Sequence, residues 1–598
     1  MNNSDASAKV VRIGGASGFW GDSAAAAPQL VQVPDLDYLS FDYLAELTMS
    51  ILSRARAKSP DLGYAEDFVT VAMRSVLHDV VKKGIKVLSN AGGVNPRACA
   101  RALQALAENE GVALKIAVVE GDDLLPQIDA LRVADVRDLH SGAKLPAKLM
   151  SANAYFGALP IVEALRQGAQ VVITGRCVDS ALPLAALIHE FGWVADDYDR
   201  LAAGSLVGHL IECGPQCTGG LFTDWEQVPG WDDIGYPVVE AHADGSFIVT
   251  KPAGTGGLVT PATVAEQMLY EIGDPAAYML PDVCCDFTAV RMEQEGPDRV
   301  RVESARGRAP SDRYKVSATY ADGWRCSVYI TLLGGRAEAK AARTAETIIA
   351  RTRRMLAARG LADYRRVHSE VLGMEATFGA HARISANREV VLRLVVDHDE
   401  RAALELFANE IAPGGVSWAP GFANIGGGRP RPTPIVRLFS FLWPKAKLTP
   451  TVTLDGATIP VVLPDIARAA APAAPAARYQ APAVAAADGI ETPLSRIAHG
   501  RSGDKGDSVN IGVLARDPKW TPVLQRELTA ERVHDYFAHF VKGEVARFDV
   551  PGVHGFNFLL TAALDGGGMA SPRSDPLGKA FAQMLLDMPI RVPADLLN

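Results

Sequence analysis

Two short stretches place a basic side chain three residues before a carboxylate. In ITGRCVDSALPL, Arg176 and Asp179 come just after an apolar run that predicts a strand, and ligands of open α/β sheets lie outside such strand ends. In GHLIECGPQCTGG, His209 and Glu212 have a spacing that lets both face one cleft. We expect Arg176 to bind a carboxylate or phosphate and the other three to transfer protons. The alternatives are a helix cap at Asp179 and a structural helix end at 209–212.

The second stretch also contains two thiols, Cys213 and Cys217. A metal site or a thiolate nucleophile is one interpretation, but Cys-x3-Cys is not typical of a zinc site and no second pair follows at a suitable distance. Buried cysteines act mostly as small apolar side chains. We therefore expect no metal and favour a structural role for both thiols.

A third candidate, HGRSGDKGDSVN, lies near the C-terminus and contains Asp504, Lys505 and Asp507 between two β-type runs. A phosphate loop normally leads into a helix, whereas this stretch leads into a strand, so it predicts a strand-to-strand turn. A simple hairpin needs only an Asp-Gly pair. We therefore expect the three charged residues to contribute to a site, beside the later loop DGGGMASPRSDP; a purely structural turn is the alternative.

Two glycine-rich stretches could let backbone amides approach an anion. RIGGASGFWGDS follows the first strand, and KPAGTGGLVTPATV leads into a helix with a threonine N-cap and a proline at its first position. Together they fit a ligand with several phosphates, such as the coenzyme A part of a substrate, or a nucleotide; ordinary turns are the alternative. The candidate ligand-binding residues are Gly14, Gly15, Gly18, Gly254, Gly256, Gly257 and Thr260.

The order of apolar runs and turns predicts the elements that carry these residues. Strands alternate with helices in the first half, which predicts an α/β fold with a doubly wound, mostly parallel sheet. Two apparent hairpins follow, the second turning at Asp322-Gly323, and then a long helix. An alanine- and proline-rich stretch is typical of a linker. The predicted parts are 10–280 (α/β sheet), 281–465 (α+β), 466–490 (linker) and 491–598 (a small ferredoxin-like α+β domain).

Composition narrows the class of protein. The 598 residues carry a net charge of −9 with no basic run, which disfavours nucleic-acid binding. No apolar stretch approaches the roughly 18 residues of a membrane span, and the N-terminal residues lack the order of a secretory signal. Seven irregularly spaced cysteines suit a reducing compartment. We expect a cytoplasmic protein.

Several long motifs occur in an order that resembles one family. VRIGGASGFWGDS, TGRCVDSAL, HLIECGPQCTGG, GRSGDKGDSVNIGV and GFNFLLTAALDGGGMASPRSDPLGKA are similar to the acyclic terpene utilisation family, AtuA. The resemblance covers nearly the whole chain and implies a large N-terminal domain and a ferredoxin-fold C-terminal domain. The family is associated with bacterial breakdown of citronellol and geraniol through branched acyl-CoA intermediates.

The resemblance implies a substrate class and carries no catalytic residues with it. We expect an enzyme that acts on a branched-chain or isoprenoid acyl-CoA, by a lyase, hydratase or thioester hydrolysis step. A non-catalytic scaffold or accessory subunit of an acyl-CoA carboxylase pathway is the alternative. The expected partner is a small acyl-CoA or organic acid, and a homodimer or higher homo-oligomer is compatible with the small tail domain.

Overall fold

The computed structural model describes residues 9–464 and 489–597. The expected linker, 466–490, lies outside the described residues except for 489–490, which begin a strand. The strands are β1 (Val10–Ser17), β2 (Tyr38–Phe41), β3 (Lys86–Ser89), β4 (Ile116–Glu120), β5 (Ser151–Ala154), β6 (Val171–Thr174), β7 (Val238–His242), β8 (Phe247–Thr250), β9 (Tyr278–Met279), β10 (Cys284–Asp286), β11 (Arg291–Gly296), β12 (Arg299–Glu303), β13 (Arg306–Arg308), β14 (Arg313–Leu333), β15 (Arg366–Leu372), β16 (Glu389–His398), β17 (Phe422–Gly426), β18 (Thr433–Pro444), β19 (Thr451–Leu454), β20 (Ala457–Pro460), β21 (Gly489–Pro493), β22 (Ala498–Lys505), β23 (Ser508–Ala515), β24 (Val545–Val550), β25 (Gly555–Leu560) and β26 (Pro589–Pro593).

The helices alternate with strands in the first half of the chain and are sparser in the second. They are α1 (Ala26–Leu30), α2 (Glu46–Lys58), α3 (Arg74–Lys83), α4 (Pro96–Asn109), α5 (Ile128–Val133), α6 (Leu159–Arg166), α7 (Ala181–Phe191), α8 (Tyr198–Ile211), α9 (Pro261–Leu269), α10 (Ala337–Ala358), α11 (Arg401–Asn409), α12 (Gly414–Ser417), α13 (Thr521–Glu527), α14 (Ala530–Tyr536) and α15 (Phe581–Leu586). No helix among the described residues has the length and hydropathy needed to span a bilayer.

The largest sheet has eleven strands in the order β11-β12-β8-β7-β1-β2-β3-β6-β4-β19-β20. Only its centre, from β1 to β4, pairs in parallel. Side chains alternate across it, so that on β3 Leu88 packs under α6, α7 and α8 while Val87 packs under α1, α3 and α4. The expected α/β fold is confirmed, but a mostly parallel sheet is wrong, because β7, β8 and the outer hairpins return antiparallel.

A second sheet is built around the 21-residue strand β14, which pairs with β16, β17, β18 and β5. The hairpin expected at Asp322-Gly323 is wrong. β14 continues through this point with a bulge between Ala321 and Trp324, where Gly323 has a φ of +79°. An extra residue in one strand is accommodated by such a bulge without reversing the chain.

The two sheets exchange strands across the expected boundary at residue 280. β11, β12, β19 and β20 come from the second part of the chain but extend the first sheet. In the other direction, β5 leaves the first part to pair with β14. Residues 9–464 therefore form one body in which the two sheets share strands from both parts of the chain.

The C-terminal residues form a smaller α+β domain with the antiparallel sheet β22-β23-β25-β24 and its own apolar core. Its hairpin β22–β23 docks on the C-terminal end of α9. There Asn510 Nδ2 donates to Leu269 O at 2.6 Å, and Asn510 Oδ1 accepts from the Glu271 amide at 2.7 Å. Asn557 Nδ2 donates to Ile272 O at 2.8 Å. These bonds fix the tip of the hairpin beside the ends of α8 and α9.

Candidate active site between the domains

A cluster of charged side chains lies where the two domains meet. The first body contributes residues from the start of α2, the loop after β6, and the C-terminal ends of α8 and α9. The C-terminal domain contributes the tip of hairpin β22–β23 and a residue just before α15. We call this group the interdomain site; it comprises Glu46, Tyr155, Arg176, Asp179, His209, Glu212, Glu271, Tyr278, Asp504, Lys505 and Lys579.

Arg176 and Asp179 meet as the sequence predicted, although the arginine has a different task. Its guanidinium is 5% exposed, donates from Nη1 to Asp179 Oδ1 at 2.8 Å and to Leu44 O at 2.5 Å, and stacks on Tyr155 with 4.3 Å from Cζ to the ring centroid. Because this guanidinium is buried and already bonded to two protein acceptors, we infer that it orients Asp179 and does not bind a ligand. Burial raises the pKa of Asp179 and Arg176 opposes that rise, which leaves a carboxyl suited to proton transfer.

The loop that carries Arg176 is held in place by the buried carboxylate of Asp122. The backbone amide of Arg176 donates to Asp122 Oδ2 at 2.9 Å, and Asn153 donates to the same oxygen at 2.8 Å. Burial raises the pKa of Asp122 to about 7. A Cβ on Gly175 would overlap the Asp122 carboxylate, so glycine is required at that point of the loop.

His209 and Glu212 also meet, at the end of α8. His209 Nε2 lies 3.1 Å from Met268 O, and Nδ1 lies 3.1 Å from Glu212 Oε1. A carbonyl only accepts, so Nε2 carries the proton of the neutral ring and Nδ1 must accept. Burial and Lys505 lower the pKa of His209 to about 4, while burial, Asp179 and Glu271 raise the pKa of Glu212 well above its usual range. Glu212 is therefore a carboxylic acid that donates to His209.

Lys505, at the hairpin tip, is the cation that faces these acids. Its side chain is exposed to water at the place where the two domains meet. Its Nζ lies 5.9 Å from the Tyr278 ring centroid and makes no hydrogen bond or ion pair with any residue of 9–464 or 489–597. Burial opposes its charge, but Tyr278, Glu271 and other carboxylates outweigh that effect and hold the pKa of Lys505 above its usual range.

Two charged residues that the motifs did not indicate, Glu271 and Lys579, lie beside the predicted Asp504. Lys579 Nζ lies 3.1 Å from Glu271 Oε1 and 3.4 Å from Asp504 Oδ1, and it also contacts the Tyr270 hydroxyl. Burial and Glu271 raise the pKa of Asp504 to about 6. Glu271 has a φ of +59°, a strained conformation for this residue. The sequence alone does not reveal this conformation.

Glu46 begins α2 and provides a permanently ionised carboxylate. It accepts from the Tyr155 hydroxyl at 2.7 Å, and Lys315 Nζ lies 3.9 Å away. Burial opposes its charge, but Lys315, Arg176 and Tyr155 together lower the pKa of Glu46 to about 2. Glu46 therefore balances the cations of the site at neutral pH.

Asp507 lies two residues after Lys505, but its carboxylate stabilises a neighbouring loop. Its Oδ1 accepts from the backbone amides of Leu564, Gly566 and Gly567 at 3.2, 2.9 and 3.1 Å. The loop DGGGMASPRSDP therefore lies beside the hairpin, as expected. Because this carboxylate is saturated by backbone donors, we leave Asp507 out of the proton-transfer groups.

The first glycine stretch is used for close packing. A Cβ on Gly15 would overlap Ile211 O, and a Cβ on Gly18 would overlap the backbone of Cys213, while Gly14 packs on α1. The Gly18 amide donates to an aspartate of its own loop at 2.8 Å. Close packing therefore explains why glycine is needed at these positions, and no ligand has to be invoked. The same contacts hold β1 against the end of α8.

The second glycine stretch lies away from the site. The amides of Gly256 and Gly257 donate to Asp233 O at 2.8 Å and to Pro229 O at 2.7 Å, so neither is free for a phosphate. Gly254, with a φ of +79°, forms the preceding turn.

Thr260 caps α9 as the sequence predicted, accepting from the Thr263 amide at 3.3 Å. However, the site lies at the other end of this helix, about 13 Å away by helical rise. Phosphate binding at this stretch stays a prediction without a structural argument. Within 9–464 and 489–597, no three or more His, Cys, Asp or Glu side chains are placed to hold a metal ion.

Comparison with known proteins agrees with the resemblance seen in the motifs. The family described as "Acyclic terpene utilisation family protein AtuA" matches residues 11–454, and "AtuA ferredoxin-like domain" matches 492–591. No curated protein matches. Among solved structures, homoserine dehydrogenase of S. aureus, crystallised at pH 6.5, aligns at 10% identity over 68% of this chain and 83% of that chain. Its TM-score of 0.12 is too low to support a common fold.

Proposed function

Because this chain belongs to the acyclic terpene utilisation family AtuA, we propose that it is an enzyme acting on a branched-chain or isoprenoid acyl-CoA in the catabolism of acyclic terpenes or related acids. We place the reaction in the lyase or hydratase class. One observation carries this proposal: the ammonium of Lys505, which makes no hydrogen bond or ion pair with a described residue, interacts electrostatically with the carboxyl groups of Asp179 and Glu212.

Lys505 is suited to hold the oxygen of an enolate. Loss of a proton from the carbon next to a thioester carbonyl moves the C–H electron pair into a C=C bond and places negative charge on oxygen. A fixed cation at that oxygen stabilises the transition state more than the ground state. Since Lys505 makes no ion pair with the described residues, its charge is available to the substrate.

Asp179 and Glu212 are suited to the two proton transfers. In the elimination direction, Asp179 takes the proton from the α-carbon and Glu212 gives its proton to the group leaving the β-carbon. A β-hydroxyl would leave as water, and the enolate electron pair would form the α,β double bond. Arg176 orients Asp179 through the 2.8 Å contact, and His209 orients Glu212. Addition of water to the double bond follows the same steps in the reverse order.

Solvent isotope exchange tests the first step without knowledge of the final product. A branched acyl-CoA such as 3-methylbutanoyl-CoA is incubated with the enzyme in D2O, and deuterium at the α-carbon is followed by NMR. We expect exchange catalysed by the wild type, together with a rise in Tm on adding the ligand. Absence of both for straight and branched acyl-CoA alike would overturn the proposal and favour a non-catalytic accessory subunit.

We also propose a cytoplasmic location. All seven cysteines are unpaired, and six of them are buried. Free thiols in this number suit a reducing compartment. Fractionation of cells into cytoplasm, membrane and periplasm tests this, and recovery mainly from the periplasm would contradict it.

The homo-oligomer stays a prediction.

A further inference from the structure

A second cavity, of about 780 Å³, lies on the far side of strand β14 from the interdomain site. Tyr314 lines this cavity, whereas its neighbour Lys315 interacts with Glu46 in the interdomain site. Consecutive residues of a strand point to opposite faces. The first turn of α8 also lines the cavity through Leu201, eight residues and about 12 Å of helical rise before His209. The two sites are therefore separate.

The cavity has an apolar lining and a volume typical of small-molecule sites. Leu159, Ile188, Leu201 and Leu448 form part of its wall, with several prolines around them. Such a wall favours a ligand with a hydrocarbon portion.

Lys445 is the cation among the residues that line the cavity, together with three aspartates, Asp196, Asp282 and Asp312. It is 8% exposed, and its Nζ donates to Pro281 O at 2.6 Å and lies 5.4 Å from the Tyr314 ring centroid. Pro281 O is its sole hydrogen-bond acceptor among the described residues, and no described carboxylate lies within 4.0 Å. An ammonium has three donors. A buried, unpaired charge is costly, so an anion in the cavity would stabilise it.

The acidic residues around the cavity do not neutralise Lys445. Asp282 accepts from the Ala158 amide at 2.7 Å, and burial raises its pKa. Asp196 and Asp312 are exposed at the rim. Burial lowers the pKa of Lys445 to about 8, against the opposing effect of Asp282 and Asp312, so most of it is charged at pH 7.

We propose that this cavity binds an organic carboxylate with an apolar tail, its carboxylate paired with Lys445 and its tail against the apolar wall. The site is additional to the interdomain site and does not depend on the reaction proposed there. It suits a free branched or straight-chain acid of the kind that an acyl-CoA pathway consumes or releases.

Calorimetric titration of the full chain with decanoate and with 1-decanol tests the proposal, since the two differ in charge and share the tail. We expect decanoate to bind the wild type at least tenfold more tightly than 1-decanol. In Lys445→Met that difference should disappear, whereas in Lys447→Met, an exposed lysine two residues away, it should persist. Replacing an unpaired buried charge by an apolar side chain is not expected to unfold the protein. A Tm measurement checks this.

Three results would overturn the proposal. One is equal decanoate affinity in the wild type and Lys445→Met. Another is the absence of saturable binding. The third is decanoate binding lost in Lys505→Met and retained in Lys445→Met, which places the acid in the interdomain site. Should Lys445→Met fail to fold, Ala195→Trp, an exposed lining residue, narrows the cavity and must weaken decanoate binding.

Discussion

Replacing Lys505 by methionine removes the charge of the hairpin tip while keeping much of the side chain's length. The wild-type Nζ makes no hydrogen bond or ion pair with a described residue, so folding loses no direct bond. The surrounding acids nevertheless attract its charge, so we expect the free energy of unfolding to fall by about 1–2 kcal/mol, limited by the exposure of the side chain to water. The reaction loses the cation that would face the enolate oxygen. Removal of one such donor costs roughly 100- to 1,000-fold in rate, about 3–4 kcal/mol.

The same substitution should move the pH profile. Lys505 lowers the pKa of Asp179, so its removal raises that pKa. A shift of one pKa unit corresponds to about 1.4 kcal/mol of lost attraction, which is of the order expected for two charges near a protein surface. If Asp179 is the base, it must be ionised to act, and the acidic limb of the exchange-rate profile should shift upward by about one pH unit.

The assay is α-carbon deuterium exchange over a range of pH, with Lys519→Met as the matched control. Lys519 is exposed in the same domain, with its Nζ 4.8 Å from the Trp520 ring centroid. The control should stay within twofold of the wild type. An exchange rate in Lys505→Met within threefold of the wild type, with the same acidic limb, would refute the assignment of Lys505.

Three further substitutions test Glu212, Asp507 and Glu266, a buried carboxyl on α9 that accepts from the Thr223 hydroxyl at 2.5 Å. Glu212→Gln keeps a donor toward His209 but has no proton to give; exchange should persist while turnover to product falls at least 100-fold, and full turnover would exclude Glu212 as the acid. Burial raises the pKa of Glu266 from 4.5 to about 8, so the folded state holds more protons than the unfolded state between these values and stability falls as pH rises through that window. Glu266→Gln should therefore gain Tm over the wild type from pH 5 to pH 8, and parallel curves would contradict this. Asp507→Ala removes the side-chain acceptor of the Gly566 and Gly567 amides, while the Leu564 amide keeps its bond to the carbonyl of residue 507 at 3.3 Å. The free energy of unfolding in urea should fall by about 2–4 kcal/mol, and an unchanged midpoint would contradict this structural role.

Contacts between residues close in sequence could be predicted from the chain. The pairs at 176–179 and 209–212 meet because a three-residue spacing at a helix or loop end leaves few alternatives. Thr260 caps α9 because threonine followed by proline is a strong N-terminal signal. The strand-to-strand turn at 503–508 is likewise local.

Contacts across long separations could not be predicted. Lys579 reaches Glu271 over 308 residues, and that contact depends on how the C-terminal domain sits on α9. Asn510 and Asn557 contribute to this docking because their amides bond backbone groups of residues 269–273, and ion pairs such as Asp224–Arg516 also join the two domains. The presence of one asparagine in each of two apolar strands does not predict that these strands contact another domain. The sequence does not distinguish the bulge at Gly323 from a hairpin turn, because an Asp-Gly pair in a β-rich run is typical of both.

The glycines of the first stretch show why a phosphate-loop interpretation and a packing interpretation are hard to separate by sequence. Both require a backbone without Cβ at the carboxyl end of a strand. At Gly15 and Gly18 the approaching group is the end of α8, namely Ile211 O and the Cys213 backbone. Glu212 lies between these two contacts, so the glycines determine where its carboxyl can sit relative to Asp179. In the proposed reaction these glycines would therefore position an acid, and their spacing suits packing against α8 better than it suits a dinucleotide.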